Sequence, residues 1–199
     1  LPPGGPENYE DLAFGMRFLF PLVGVVVIAA IFHRLAEATR NGGVVHVLER
    51  LSYNQGRVPL KSAVVQFVSA AVAIVAGLSV GREGPAIHLG AASASLAGQY
   101  LRLPNNSMRI LVGCGVAAAI AASFNTPLAG VAFAMEVVLM EYTVIGFAPV
   151  ILAAVSATAV THIVYGDVPA FAVPTVVLKS IWEVPYVLFM GLIIGLLAA

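Results

Sequence analysis

Long stretches of this sequence carry no Asp, Glu, Lys or Arg, and glycine and proline interrupt them. Residues 18–32, 62–80, 84–101, 110–135 and 143–161 are such runs, and residues 184–199 begin another. A helix crosses the hydrocarbon core of a bilayer with about 20 predominantly apolar residues. Several of the runs are shorter than that or break near their middle. Asn125-Thr126-Pro127 divides the run 110–135 into two helices. Backbone that leaves a helix at membrane depth must be buried in protein or line a polar path, because lipid cannot hydrogen-bond it. Broken helices build ion and substrate sites in transporters. The pattern predicts an all-α, multi-pass membrane protein, a polytopic bundle of tilted and broken helices in a lipid bilayer.

Composition excludes several other classes. Of the residues, 60% are hydrophobic and 10% charged, against about 25% charged in a soluble domain. Ten basic and ten acidic side chains cancel, whereas a nucleic-acid surface needs clustered positive charge. The lone Cys114 sits in an apolar run and reads as a packing residue. No nucleophile triad, phosphate-cradling loop or cofactor motif is present, so neither enzymatic activity nor a cofactor is expected. His46 and Glu49 are half of a metal pattern without its second half, so no metal site is expected. His88 is expected to pack or hydrogen-bond. Glu141 and Tyr142 read as membrane-interface residues.

Small residues recur four apart at Gly90, Ala94 and Gly98, at Gly113, Ala117 and Ala121, and at Gly191 and Gly195. Such rows let helix backbones approach closely. Residues 51–61 read as an exposed loop. Residues 103–107 read as a second loop, with Asn106 or Ser107 capping the next helix. Residues 165–179 read as a longer connection. The chain opens on Leu1-Pro2-Pro3 and stops in an apolar run, so it is expected to be a piece of something longer.

One charged motif lies between two uncharged runs: Gly81-Arg82-Glu83-Gly84-Pro85. Pro85 suits the first position of a helix, with Gly84 at the cap. The amides of Gly84, Ala86 and Ile87 would then be unpaired donors at a positive helix end, a ready anion site. Glu83 beside it can act as an anion itself. A carboxylate that fills the site when ionised and leaves when protonated is a gate. The alternative is an Arg82–Glu83 ion pair that only caps a helix.

The motif is identical to the GREGP signature of the CLC chloride channels and transporters. The stretch Ala121-Ala122-Ser123-Phe124-Asn125-Thr126-Pro127-Leu128-Ala129-Gly130-Val131-Ala132-Phe133-Ala134-Met135-Glu136 resembles a second motif of that family. The likeness covers roughly residues 15–199. It implies a fold of two inverted helical repeats, a homodimer with one pore per subunit, and chloride held by backbone amides at helix N-termini. It also implies that residues from about 15 to 180 are most of the first repeat and that 181–199 begin the second. A bacterial inner membrane is the expected location. The amides implied as anion donors are those of Gly42, Gly43, Val44, Val45, Arg82, Gly84, Ala86 and Ile87, with chloride or a similar anion as ligand and Glu83 as gate.

Two departures from the family pattern stand out. The GSGIP loop of the family matches Asn41-Gly42-Gly43-Val44-Val45, so its anion-contacting serine falls on Gly42 and its proline on Val45. A plain glycine turn is the alternative reading there. Exchangers of the family usually carry two adjacent glutamates after the second motif, the second relaying protons. Here Glu136 is followed by Val137, which cannot carry a proton. The resemblance therefore implies passive, voltage- or pH-gated conduction, with proton-coupled exchange by another route as the alternative and a non-transporting membrane scaffold as a third reading. Glu136 is either part of a pathway or a structural charge.

Overall fold

The computed structural model describes residues 14–35, 42–140, 143–166 and 183–198, and every regular element among them is helical. In chain order these are α1 (Phe14–His33), α2 (Gly43–Tyr53), α3 (Leu60–Val75), α4 (Glu83–Tyr100), α5 (Asn105–Phe124), α6 (Pro127–Phe133), a π-helical turn (Ala134–Leu139), α7 (Val144–Tyr165) and α8 (Glu183–Ala198). Three of them, α1, α5 and α7, are long and apolar enough to cross a membrane. The chain is a multi-pass membrane protein. Large apolar side chains on α1, α7 and α8 stay exposed, among them Phe18, Val26, Leu152 and Leu196. Lipid is the solvent that suits such surfaces.

Helix α5 is the hub, packing on α4, α6 and α7. One side of it builds a cluster of Cys114, Ala117 and Ala121 with Val131, Met135 and Val150. Cys114 is buried and free, a packing residue as expected. The other side builds a cluster of Val112, Val116 and Ile120 with Val47, Ile87 and Ala91. Lipid tails are as apolar as these side chains, so association depends on close packing rather than on escape from water. The α4–α5 crossing depends on two glycines. A Cβ on Gly90 would strike the carbonyl oxygen of Gly115, and a Cβ on Gly115 that of Gly90. Gly90 belongs to a predicted row, whereas Gly115 lies outside every row. Gly115→Val is expected to lower stability by about 1–3 kcal/mol, because backbone rather than a flexible side chain must yield. Thermal unfolding in detergent measures it, and an unshifted midpoint would show that the crossing is looser than its geometry.

The break within 110–135 falls where the sequence places it. Helix α5 ends at Phe124, Asn125 caps it in the left-handed region (φ 56), and Pro127 starts α6. Asparagine tolerates that conformation better than other side-chain-bearing residues. Its side chain also hydrogen-bonds His162 of α7, which ties the break to the neighbouring helix.

Other boundaries differ from expectation. The stretch 51–61 is not a free exposed loop: α2 runs to Tyr53, α3 starts at Leu60, and Leu51 and Val58 are buried. The Ser95 hydroxyl donates to the Gly56 carbonyl (2.6 Å) and accepts from the Val58 amide (2.9 Å), which binds this link to α4. Neither Asn106 nor Ser107 caps α5. Pro104 stands at the cap, and its carbonyl accepts from Met108 at 3.0 Å. An extended proline already presents its carbonyl for the first helical bond, so the helix starts earlier. Glu141, Tyr142 and nearly all of 165–179 lie outside the described residues.

Candidate functional site

The N-terminal turns of two helices meet. Helix α2 starts at Gly43 after Gly42 in extended conformation, and among the described residues no side chain caps it. Gly43 has φ +73, a region glycine enters at little cost. Helix α4 starts at Glu83, again without a side-chain cap among the described residues. A Cβ built on Gly84 would lie 3.8 Å from the Gly43 Cα. The two N-terminal turns therefore meet with only glycine between them, and their dipoles place partial positive charge on the same spot.

The first four amides of a helix have no partner within it. At α2 these are Gly42, Gly43, Val44 and Val45, the set expected from the sequence. At α4 the set differs. The helix starts two residues before Pro85, so the Ala86 amide donates to the Arg82 carbonyl at 3.1 Å. Ile87 follows in the helical ladder and is 3% exposed in the core. Ala86 and Ile87 are thus engaged within the helix, whereas Arg82 and Gly84 of the expected set keep amides without a helical partner and Glu83 joins them. Proline sits in the first turn without cost, because its missing N–H would have no partner there.

Glu83 is exposed and is the first residue of α4. Its carboxylate folds back over Gly81, against the space an added Cβ would take. Arg82 does not pair with it among the described residues. The Arg82 guanidinium lies over the Phe124 ring, 5.2 Å from the centroid, a cation–π contact that fixes the start of α4 to the end of α5. The ion-pair alternative is therefore not what the structure holds. Val137 is half-buried and packs on the cluster containing Val47 and Ile87, behind the junction. Glu136 points outward and is exposed.

Two features escaped the sequence reading. A Cβ on Gly42 would overlap the Gln66 side chain, so the amide of Gln66 on α3 covers the position where a hydroxyl was missed. Gln66 is the one amide side chain in the run 62–80, and a polar group inside an apolar run signals a role. The second feature is contact between His46 and His88, whose ring centroids are 5.4 Å apart. Among the described residues, no group of three or more His, Cys, Asp or Glu could hold a metal ion.

Together these elements define a multi-pass helical membrane protein whose interrupted helices converge on an uncapped, glycine-lined junction. The chain belongs to the voltage-gated chloride channel family, whose model matches residues 24–199. It is 30% identical over 93% of its length to a ClcB-like protein of Ralstonia nicotianae, covering 44% of that protein. It is 30% identical over 90% of its length to a chloride/fluoride channel protein of Pseudomonas syringae, covering 39% of it. It is 31% identical over 66% of its length to the H(+)/Cl(-) exchange transporter ClcA of Vibrio cholerae, covering 29% of it. The chain thus spans less than half the length of these relatives. No solved structure matches the fold.

Proposed function

We propose that this chain supplies part of an anion pathway, in which chloride or a similar anion binds between the N-termini of α2 and α4 and Glu83 gates it. The observation that carries this reading is the approach of Gly43 and Gly84 with the Glu83 carboxylate at the same helix end. Unpaired amides at two converging helix ends favour a negative ion. An ionised Glu83 competes for that field, and a protonated one releases it. Gln66 would add a side-chain donor at Gly42. In this reading residues up to about 180 are most of one repeat, 181–199 begin the second, and the full-length protein works as a homodimer with one pathway per subunit.

Passive conduction is the favoured mode, because the position after Glu136 is the apolar Val137. Exchange is the second reading, since one relative carries the name of an exchange transporter. Reversal potentials of the full-length protein in a proton gradient separate the two. Conduction predicts a potential fixed at the chloride equilibrium value. A shift with the proton gradient would reject it. Liposomes that release no chloride above background would reject both.

A further inference from the structure

One end of the bundle gathers positive charge. The link between α2 and α3 packs against the last turns of α4 and the first of α5. Ser95 holds Gly56 and Val58, and Gln99 donates to the Ser95 hydroxyl at 3.0 Å. A Cβ on Gly56 would meet the Met108 side chain at 3.3 Å, and one on Gly98 would strike it. The α2–α3 and α4–α5 links therefore share one end. Arg57, Lys61 and Arg102 are exposed there, and Arg50 and Arg109 flank them on α2 and α5. Between Arg50 and Arg109 the sequence holds one acidic residue, Glu83. It opens α4, about 25 Å along the helix axis from this end. Glu49 is the one acidic residue on α2, and Glu136 lies deeper, on the turn whose Leu139 packs against Gly113. Among the described residues, Arg57, Lys61 and Arg102 make no ion pair.

The surroundings of these cations are those of a membrane interface. Tyr53 closes α2 and Tyr100 closes α4, and they are 84% and 88% exposed. Leu60 and Leu101 stand beside them, also exposed. Tyrosine settles at headgroup level, its ring toward hydrocarbon and its hydroxyl toward water. Lys61 adds a second argument. It lies in the first turn of α3, where the dipole disfavours a cation, and Pro59 at the cap brings no side-chain oxygen to offset it. An anion at the surface would answer both the ammonium and the helix start. We propose that this end binds the phosphate of an anionic phospholipid, with Arg57, Lys61 and Arg102 around the headgroup and the two tyrosines against its glycerol and upper acyl carbons. Anionic lipid draws basic side chains held at the membrane surface. A soluble anion would leave the tyrosines and leucines without a partner, whereas a lipid engages both kinds of side chain. The site stands apart from the junction and needs no role for Glu83.

The test titrates the full-length protein in detergent with phosphatidylglycerol or phosphatidylcholine and counts retained lipid by native mass spectrometry. Phosphatidylglycerol is expected to bind at least about tenfold more tightly than phosphatidylcholine. Arg57→Gln combined with Lys61→Gln is expected to weaken phosphatidylglycerol at least about tenfold and to leave phosphatidylcholine unchanged. Arg57→Lys combined with Lys61→Arg keeps both charges and should keep the preference. Inorganic phosphate in large excess should displace little of the lipid, since it lacks the acyl chains. Equal retention of the two lipids by the wild type would overturn the site in favour of charges that only orient the chain in the membrane. A preference that survives the double glutamine variant would place the headgroup elsewhere and overturn it too. A charge-preserving variant that loses the preference as fully as the glutamine variant would overturn the role of charge. Full displacement by phosphate would replace the lipid with a soluble anion.

Discussion

Replacing Glu83 with glutamine is expected to remove the pH dependence of anion flux in the full-length protein. Glutamine keeps the size of the side chain but stays neutral, so it imitates the protonated gate at every pH. The ratio of flux at acid pH to flux at about pH 7 should fall to about one, since an amide side chain does not titrate. The reason lies in the position of the carboxylate. Glu83 opens α4 beside three unpaired amides, and an ionised carboxylate there gains from the helix dipole. In the proposed reading a neutral side chain lacks that gain and leaves the amides to a permeating ion. Flux in the wild type therefore rises toward acid pH and in Glu83→Gln stays high throughout. Gly81→Ala makes a useful companion, because its Cβ would displace the folded-back carboxylate without changing its charge. A Glu83→Gln profile that still follows pH would remove Glu83 from the gate.

Much of this was legible in the sequence because lipid imposes few solutions. Charge-free runs could only be helices, and Asn125-Thr126-Pro127 could only be a break, so α5 and α6 fall where expected. The start of α4 was misplaced by two residues for a local reason. Proline favours the first position but is also admitted anywhere in the first turn, and Glu83 and Gly84 complete that turn ahead of it. The error mattered chemically, since it counted the helix-bonded amides of Ala86 and Ile87 as donors and left out that of Glu83. Pairings between distant segments were not legible at all. Nothing in the local sequence links Gln66 to Gly42, His46 to His88, or Arg82 to Phe124, because each pair joins different helices. Gly115 was missed likewise. It lies between Gly113 and Ala117, off the four-residue spacing, yet it is the glycine on which Gly90 rests.

Gly84→Leu is expected to abolish anion flux, and Gly84→Ala to preserve most of it. The distinction follows from a single distance. A Cβ on Gly84 stands 3.8 Å from the Gly43 Cα, an ordinary van der Waals contact, so alanine fits without moving either helix. Leucine has three further carbons, and they must enter the space between the two N-terminal turns. An anion there would exchange backbone amides for hydrocarbon. Leaving a charge without its hydrogen bonds costs several kcal/mol, and each 1.4 kcal/mol or so is about tenfold in rate, so flux should fall at least about tenfold. The loss should hold at every pH, because the obstruction does not titrate. That separates it from any variant at Glu83, whose effect lies in the pH profile. Gly84→Leu combined with Glu83→Gln should remain closed, since opening the gate does not reopen the junction. Equal flux through Gly84→Leu and Gly84→Ala would place the ion path elsewhere and leave the meeting of α2 and α4 a matter of packing alone.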